Sequence, residues 1–583
     1  MLAPDTRTLL LDALRPPAGS QLTRAVALTF TLDLESLLVA PLAFAAHSLR
    51  ESTDPVVIME SVRQCAERID VFCQSGQVAV PPGESALLAF LEPMVHPVGR
   101  PRPGRLFHPK LWVLRFRDEV TSEVSLRLLV LSRNLTKDRS WDVCLRLDGV
   151  RGARPAAGNK PLADLLRHTL KLAVVPIPAP RREAIEALIE DLRRVEWTTP
   201  DGVREVRFHP LGVPGNSVPS FEGSRHLVIS PFCTEDGLLL CAPGDRRIVV
   251  GRQEELDRLP HEALDGAECF VVSELAGLPT EETPNETEIL SGLHAKVYVV
   301  EQGVEARIFV GSANATSAAF GGNVEVLVEL VGKRGDLGID GMVGPEADLR
   351  EVLEPYERGE SVELDEDAEL LIDLVRDIAE VPLVATVRAG AERYSIDLTS
   401  EAPLPEVDGV RLTAELHTRR AEAVTLAPEQ PVKATFAGLA LTDITRFVII
   451  TAELRGVRER TIVLATLVGD PVDRLDHVLA EQIDTFEKFQ RFLLLMLGLG
   501  AEAAPVAATE GDEGGSTRWR SGYLGMFELL LNALAEHPER LADLANLIAR
   551  IEARGAKLWP DGFSELWALV EQARQADLEV ARA

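Results

Sequence analysis

The chain has 583 residues, of which 61 are Lys or Arg and 91 are Asp or Glu, so its formal net charge at pH 7 is −30. A single hydrophobic core stops growing near ~250–300 residues, and ~150 residues per domain predicts about four domains. The composition, 46% hydrophobic and 26% charged, excludes a wholly disordered, collagen-like or coiled-coil chain. The negative charge argues against a protein whose whole surface binds nucleic acid or anionic membranes.

The acidic excess belongs to the second two-thirds of the chain. Residues 1–200 carry 26 basic and 23 acidic side chains, a balance of +3, so the remaining residues carry −33. The argument from net charge therefore applies to the later part of the chain and leaves the first 200 residues free to contact a polyanion.

No segment of the sequence predicts export or membrane insertion. The N-terminal stretch, MLAPDTRTLLLDALR, contains acidic residues and lacks the basic start of a signal peptide. The longest dense apolar run near the C-terminus, Phe492 to Leu499, is far shorter than the ~20 residues that span a bilayer. The six cysteines lack C-x-x-C or zinc-like spacing, which favours buried, reduced thiols. We therefore expect a cytoplasmic protein with no membrane contact.

The first two predicted domains, residues 1–197 and 198–375, are α/β. In the first, AVALTFTLDLESLLVAPLAF predicts a buried strand and an apolar helix, further strands are predicted in VVIME, RIDVFCQ, LWVLRF and LRLLVLS, and RREAIEALIEDLRRVEW predicts an amphipathic closing helix. The second repeats this plan in HLVISPF, RRIVV, CFVVSEL, AKVYVV and ARIFVGS. The repeated order predicts a duplication within one layered α/β architecture.

The last two predicted domains differ in character. Residues 376–470 contain short alternating runs at regular spacing with turn residues between them, which predicts an antiparallel β-sandwich. Residues 471–583 show helical periodicity, interrupted at 501–517 by a small, polar and acidic stretch that predicts a flexible linker. These regions exceed what a hydrolytic site requires, so we expect a protein partner to bind through them.

Each α/β half contains a His-x-Lys motif at the start of an apolar strand and a Ser-x-Asn motif after a second apolar strand. The first copy lies in FHPKLWVLRF and LLVLSRNLTKDRSWDV, and the second in LHAKVYVV and RIFVGSANATSAAFGGNVEVLVEL. The residues concerned are His108, Lys110, Ser132, Asn134, His294, Lys296, Ser312 and Asn314. Residues i and i+2 of a strand share a face, so each His and Lys point the same way. Each half thus delivers His, Lys and Asn to one end of a sheet.

This pattern resembles the phospholipase D superfamily, whose half-site H-x-K-x4-D-x6-G-S-x-N is used twice. The second copy matches closely, with Gly311 before Ser312 and with Asn323 and Glu325 in the downstream N-x-E context. The first copy has Leu131 in place of the Gly.

The family Asp is missing from both copies, where Arg115 and Glu301 stand instead; this is similar to the tyrosyl-DNA phosphodiesterase branch. The resemblance covers about residues 20–340 and implies two duplicated phospholipase D-like α/β/α sandwich halves that form one active site.

The residue types suit phosphodiester cleavage. Lys110 and Lys296 supply positive charge, and Asn134 and Asn314 donate hydrogen bonds, to a phosphoryl group whose negative charge grows in the transition state. One His attacks phosphorus while the other protonates the leaving alkoxide and then activates water. Two imidazoles that titrate near neutrality share these tasks without a metal or other cofactor.

By resemblance, His108 is the expected nucleophile and His294 the general acid/base, although the reverse assignment stays open. Glu325 either orients a catalytic His or is an ordinary residue of a strand edge. Ser132 and Ser312 support the motifs. Basic residues surround the first motif and are expected to bind the substrate; they are Arg102, Arg105, Arg115 and Arg133. Trp112, Phe107 and Trp141 either stack on bases or pack in the core.

The leading hypothesis is a metal-independent phosphodiesterase acting on nucleic acid, with DNA favoured over RNA, in end processing, repair or defence against foreign DNA. One alternative is a phospholipase or phosphatidyltransferase of the same superfamily; the absence of a basic amphipathic helix and the net charge disfavour it. A second alternative is a catalytically inactive nucleic-acid-binding assembly subunit that retains the fold.

Overall fold

The computed structural model describes residues 10–38, 40, 65–137, 140–244, 246–273, 292–361 and 365–472, together with 474, 475, 477, 478, 530, 541 and 567–572. Within these residues the protein is mixed α/β, with several sheets and modest helix content. The strand predicted in VVIME, the linker predicted at 501–517 and nearly all of the predicted helical region lie outside the described residues. In the described part no helix is both long and apolar enough to cross a bilayer.

The first sheet is built from the first 200 residues. The strands there are β1 (Ser20–Thr29), β2 (Leu32–Asp33), β3 (Ile69–Gln74), β4 (Val78–Ala79), β5 (Val95–Val98), β6 (Leu111–Asp118), β7 (Val124–Leu131), β8 (Cys144–Arg151) and β9 (Val195–Trp197). The helices are α1 (Leu10–Leu14), α2 (Lys160–Leu172) and α3 (Ala179–Leu192). The seven-stranded order is β5-β3-β1-β6-β7-β8-β9, and β2 pairs separately with β4.

The second sheet has eight strands. They are β10 (Val203–Leu211), β11 (Arg225–Ile229), β12 (Arg247–Gly251), β13 (Glu268–Val272), β14 (Val297–Gln302), β15 (Glu305–Gly311), β16 (Glu325–Lys333) and β17 (Leu353–Pro355). The helices are α4 (Glu235–Cys241), α5 (Gln253–Arg258), α6 (Ser317–Phe320), α7 (Arg334–Leu337) and α8 (Asp340–Val343). The order is β10-β16-β15-β14-β11-β12-β13-β17.

Six strands of each sheet follow the same plan. In the first, β1 pairs in parallel with β3 and β3 with β5, whereas β6, β7 and β8 continue antiparallel from the other edge of β1. In the second, β11, β12 and β13 are the parallel strands and β14, β15 and β16 the antiparallel ones. In both sheets, the pairing therefore changes from parallel to antiparallel at the strand that follows a His-x-Lys motif.

The two sheets share one hydrophobic core. It contains one face of each sheet, including Val113 of β6 and Val299 of β14, and the apolar sides of α2 and α3. Helix α2 contributes Leu162, Leu165 and Leu166, whose spacing of three and four residues places them on one side of the helix. This shared core fixes the two His-x-Lys strands relative to each other.

Residues 366–468 form a helix and two four-stranded sheets around a separate core. The elements are α9 (Glu366–Ala379), β18 (Leu383–Ala389), β19 (Tyr394–Pro403), β20 (Arg411–Leu416), β21 (Arg419–Leu426), β22 (Pro431–Leu439), β23 (Phe447–Leu454), β24 (Val457–Leu464) and β25 (Thr466–Val468). The sheet orders are β22-β19-β18-β25 and β21-β20-β23-β24. We call α9 and these sheets the two-sheet unit. Its short strand β25 pairs in parallel with β18, whereas the other pairs are antiparallel.

Helix α9 belongs to the core of the two-sheet unit. Its N-terminus is capped by the Asp365 carboxylate, which accepts from the backbone N–H of Asp367 at 3.0 Å. Its apolar side buries Leu371 and Val375 against the sheets. The predicted domain boundary at 375/376 therefore falls inside this helix.

The two-sheet unit packs on the outer face of the first sheet. Phe447 and Ile449 of β23 join the hydrophobic cluster that contains Trp112 and Leu114 of β6. Beside it, the buried Glu92 carboxylate accepts hydrogen bonds from Thr445 Oγ1 at 2.8 Å and from Arg474 at 2.6 Å. Apolar packing and a buried ion pair thus join the two-sheet unit to the half that carries His108.

Candidate active site

In each half, the strand that follows the His-x-Lys motif forms a hairpin with the strand that precedes the Ser-x-Asn motif. The hairpin places the two motifs side by side. Strands β6 and β7 are antiparallel, and the Lys110 carbonyl accepts from Leu131 N–H at 3.0 Å, just before Ser132. Strands β14 and β15 repeat this, with the Lys296 carbonyl accepting from Gly311 N–H at 3.4 Å. A Cβ on Gly311 would lie 2.0 Å from the Val326 carbonyl oxygen, which explains glycine there.

The two halves exchange backbone hydrogen bonds at the motifs. His108 N–H donates to the Val324 carbonyl at 2.8 Å, just before β16, and Phe107 forms an isolated bridge with Val324. Reciprocally, His294 N–H donates to the Trp141 carbonyl at 2.7 Å, just before β8. Each His-x-Lys segment is therefore held by the segment that follows the Ser-x-Asn motif of the other sheet, and this brings the two motifs to one place.

The imidazole of His108 is oriented by a carboxylate from the other sheet. Its Nδ1 lies 2.8 Å from Glu325 Oε1, and Glu325 is fully buried at the start of β16. With Glu325 ionised, Nδ1–H donates to the carboxylate and the Nε2 lone pair is left for chemistry. Lys110 Nζ lies 2.9 Å from that Nε2. The sequence left two roles open for Glu325, and the structure shows that its carboxylate contacts His108.

His294 is held by a backbone carbonyl of the first half. Its Nδ1 lies 2.9 Å from the Ser132 oxygen, which also accepts from Lys296 Nζ at 3.2 Å. Since a carbonyl only accepts, Nδ1 of His294 carries the proton, and Nε2 of the neutral imidazole is left without one. Lys296 also donates to the His294 carbonyl at 2.9 Å. The two imidazoles therefore have different partners, a carboxylate for His108 and a carbonyl for His294.

The Ser and Asn residues of the two motifs occupy equivalent places. Ser132 Oγ accepts from Val143 N–H at 2.8 Å, and Ser312 Oγ accepts from Val326 N–H at 3.0 Å and donates to Glu325.

Each motif Asn leaves a polar atom without a partner. The side-chain Oδ1 atoms of Asn134 and Asn314 are both buried with no hydrogen-bond partner among the described residues. Since amide O and N positions are interchangeable on such evidence, each Asn has one end of its amide available to a ligand.

Burial shifts the pKa values of the two motif histidines, the two motif lysines and Glu325. Burial lowers the pKa of Lys110 from 10.5 to about 7, and burial followed by the charge of Lys110 lowers the pKa of Lys296 well below its ordinary value. Burial and then the two lysines lower the pKa of His108 and of His294. Burial raises the pKa of Glu325 to about 8. The single carboxylate of Glu325 thus faces two histidines and two lysines. An anion bound between these four bases would raise their lowered pKa values.

The basic residues predicted to bind substrate lie in different places. Arg102 is exposed and donates to the Gly321 carbonyl at 2.7 Å, in the turn that precedes Asn323 and Glu325. Arg105 lies beside the same turn.

Two other predicted substrate contacts are paired with acids. Arg133, beside the first Ser-x-Asn motif, is 3.8 Å from Asp142. Arg115 lies five residues beyond Lys110 along β6 and is paired with Asp191 at 2.7 Å and Thr23 at 2.8 Å, so the structure does not bring it to the cleft.

Other sequence predictions concern side chains that turn out to be structural. Phe107 and Trp112 are fully buried in the hydrophobic core, where neither can stack on a base. Glu301, at the position of the family Asp, accepts from Ile339 N–H at 2.8 Å and is buried. These residues stabilise the sheets that carry the motifs.

Three residues of the cleft region escaped the sequence analysis. The Phe30 ring lies 4.9 Å from the His108 ring. Gln74 Oε1 accepts from Phe107 N–H at 2.8 Å, and Arg252 Nε donates to the Leu293 carbonyl at 2.8 Å, so both fix the residue before a motif His. All three directly follow or end a buried parallel strand, which is the signal that could have found them.

In the described ranges, no group of three or more His, Cys, Asp and Glu side chains is arranged to hold a metal ion. No family model matches this chain, and no curated protein matches it. The chain is similar to the crystal structure of polyphosphate kinase from Porphyromonas gingivalis, with 11% sequence identity and a TM-score of 0.26. That match covers 55% of this chain and 44% of the kinase chain.

Proposed function

We propose that this chain is a phospholipase D-like phosphodiesterase that cleaves nucleic acid without a metal, through a phosphohistidine intermediate. The observation that carries this proposal is the reciprocal exchange between the sheets, in which Glu325 of one orients His108 of the other and the Ser132 carbonyl holds His294. Two His-Lys pairs around one space are what in-line displacement at phosphorus requires, a nucleophile on one side and an acid on the other.

In the first step, Nε2 of His108 forms a bond to phosphorus while the bond from phosphorus to the leaving oxygen breaks. His294 gives its Nε2 proton to that oxygen, which leaves as an alcohol. The negative phosphate raises the pKa of His294 from its lowered value in the empty cleft, because opposite charge favours the imidazolium. Burial raises the pKa of Glu325 to about 8, but the positive charge that develops on His108 favours the ionised carboxylate, which in turn stabilises that charge.

In the second step, water attacks the phosphohistidine and the bond from phosphorus to Nε2 of His108 breaks. His294, now neutral, takes the proton of the attacking water, which restores both imidazoles. Lys110 and Lys296, together with the free amide ends of Asn134 and Asn314, stabilise the non-bridging oxygens in both transition states. The products are a phosphomonoester end and a hydroxyl end.

Nucleic acid is favoured as substrate by the positive charge outside the cleft. Arg102 is exposed beside the turn that leads to Glu325, and Arg105 and Arg252 lie on the two sides of the site. A polyanionic strand extends over such flanking charges, whereas a lipid phosphate would place its acyl chains against them. Among nucleic acids we favour DNA, and we assign the binding of a protein partner to the regions after residue 375.

The experiment that tests this function is a substrate panel in EDTA. Labelled single- and double-stranded DNA and RNA, and phosphatidylcholine vesicles, are incubated with the wild type and with the His108→Ala and His294→Ala variants. Cleavage of nucleic acid in EDTA, lost in both variants, is the expected result. Loss of wild-type activity on chelation would overturn the metal-free mechanism, and turnover of the vesicles alone would favour the phospholipase. DNA binding without cleavage would favour the inactive assembly subunit.

A further inference from the structure

An aromatic side chain is exposed beside the His294 side of the cleft. Phe232 follows β11 by three residues and is 37% exposed, whereas Phe221 and Phe309, elsewhere in the same half, are buried. The guanidinium of Arg252 lies 5.2 Å from the centre of the Phe232 ring. Arg252 in turn is hydrogen-bonded to the Leu293 carbonyl, directly before His294. Phe232 and Arg252 therefore form a flat apolar and cationic surface next to the proposed general acid.

In the first half the aromatic ring stands one position earlier: Phe30 packs against His108, with 4.9 Å between the ring centres, and the guanidinium of Arg376 lies 5.8 Å from the centre of the Phe30 ring. Ser230 Oγ donates to the Phe232 carbonyl at 2.7 Å, and at the end of β1 Thr29 Oγ1 donates to the Thr31 carbonyl at 2.8 Å. These identical local turns make Thr31 the counterpart of Phe232. Phe30 is thus packed on the imidazole of His108, whereas the ring of Phe232 is exposed on the His294 side.

Arg252 has its own counterpart in Gln74, which fixes Phe107 as Arg252 fixes Leu293. Glutamine does this structural task without charge, so a guanidinium is more than the backbone requires. In the described residues Arg252 forms no ion pair, and its charge contributes to the lowered pKa of both His294 and Lys296. The charge of Arg252 also acts on Glu255, although the two form no ion pair. A guanidinium that disfavours its protonated neighbours is expected where an anion binds.

We infer that Phe232 and Arg252 form a subsite for one unpaired nucleotide, the one that carries the leaving oxygen: its base stacks on Phe232 and its phosphate contacts Arg252. An exposed aromatic ring beside a guanidinium is the arrangement that single strands use for sequence-tolerant binding. The inference rests on the proposed function, because His294 must lie on the leaving-group side. It further specifies single-stranded nucleic acid as the substrate.

The test compares Phe232→Ala, Phe232→Trp and the wild type on three substrates in EDTA: a single-stranded oligodeoxynucleotide, the same strand with abasic residues on the leaving-group side of the cleaved bond, and a blunt duplex. Leu239→Ala is the matched control, because Leu239 is an exposed apolar residue of the neighbouring helix α4. Circular dichroism and thermal unfolding check that each variant folds.

We expect Phe232→Ala to raise KM for the single strand about tenfold, the scale of one stacked base, with kcat little changed. Phe232→Trp should retain the wild-type KM, and Leu239→Ala should behave as the wild type. The effect of Phe232→Ala should disappear on the abasic strand.

An equal KM for Phe232→Ala and wild type on the normal strand would overturn the subsite while leaving the proposed function intact. An effect of the same size on the abasic strand or the blunt duplex would overturn stacking of an unpaired base. A wild type that cleaves no nucleic acid would overturn both proposals.

Discussion

The Nδ1 atom of His108 lies 2.8 Å from Oε1 of Glu325, although the two residues are 217 positions apart and belong to different sheets. The contact depends on the backbone pairing of Phe107 with Val324, which aligns the start of β6 with the start of β16. Neither half can orient this imidazole alone. The proposed active site is therefore a property of the assembled pair of sheets.

The charge of Glu325 should matter for catalysis more than its hydrogen bond. Glu325→Gln keeps a polar partner for Nδ1 of His108 but removes the negative charge that stabilises the imidazolium. We expect kcat to fall about 10–100-fold with KM nearly unchanged, the size typical of groups that orient catalytic ligands. Steady-state kinetics on a single-stranded oligonucleotide measure both constants.

The matched control is Glu329→Gln. Glu329 is also a buried carboxylate of β16 and also contacts a histidine, His209 Nε2, at 2.8 Å, but it lies outside the cleft. Its variant should retain wild-type kinetics. Equal losses in the two variants would show that Glu325 acts through the stability of β16 rather than through His108.

Binding of an oxyanion should be coupled to proton uptake. Lys110 has a pKa of about 7 in the empty cleft, so near pH 7.5 part of its population is neutral, and a bound anion favours the ammonium. We expect sulfate, which has no titrating proton near neutrality, to bind with net uptake of protons and to bind more weakly as the pH rises. Titration calorimetry in buffers of different ionisation enthalpy measures the uptake. Sulfate binding to this cleft with no proton uptake would contradict the assigned pKa direction.

The buried lysine should make the empty protein less stable at low pH. The pKa of Lys110 is lower in the folded state than in the unfolded chain, so the folded state binds fewer protons between about pH 7 and 10.5 and gains stability as the pH rises through that window. Lys110→Met should therefore raise the Tm most below pH 7, by about 2–4 °C for each kcal/mol relieved. The gain should shrink toward pH 10.5. A gain independent of pH would point to better packing instead.

The ion pair between Glu92 and Arg474 should hold the two-sheet unit against the first sheet. Both side chains are buried, and Glu92→Ala leaves Asp470 as the carboxylate that still pairs with the guanidinium of Arg474, so we expect a loss of about 1–3 kcal/mol. The control is Glu453→Ala, which removes an exposed pair with Arg458 and should lose about 0.2–1 kcal/mol. Urea unfolding measures both. Similar losses in the two variants would contradict the anchoring role.

Much of the strand content could be predicted because buried strands leave continuous apolar runs. The runs at β1, β3, β6, β7 and β11–β15 coincide with strands of the structure. Other strands, among them β8, β10, β16 and β21, were not predicted, and β9 lies at the end of the stretch predicted as the closing helix. Strand β10, VREVRFHPL, alternates charged with apolar residues at a sheet edge, and β16, EVLVELVGK, begins at the motif residue Glu325. Their identity as strands depends on pairing with each other.

The candidate site could be predicted only in part. The duplicated motifs identified six residues that the structure joins by hydrogen bonds to one another or to Glu325, because spacing of two on a strand is local information; they are His108, Lys110, Ser132, His294, Lys296 and Ser312. The partners of the two imidazoles, Glu325 for His108 and the Ser132 carbonyl for His294, depend on long-range strand pairing. Motif spacing could not predict them. Charge density around His108 likewise could not show that Arg115 would pair with Asp191, or that Arg252 would lie beside His294.

The most direct test of the central claim is to identify the residue that carries the covalent phosphoryl group. A labelled single-stranded substrate is mixed with the His294→Ala variant, quenched in alkaline denaturant because phosphohistidine is acid-labile, and digested for peptide mass spectrometry. The account predicts a phosphoryl adduct on His108, which accumulates because its hydrolysis has lost the general base, and no adduct in the His108→Ala variant. An adduct on His294 in the His108→Ala variant would reverse the two roles. Nucleic-acid cleavage by the wild type with no adduct on either histidine would contradict the phosphohistidine mechanism.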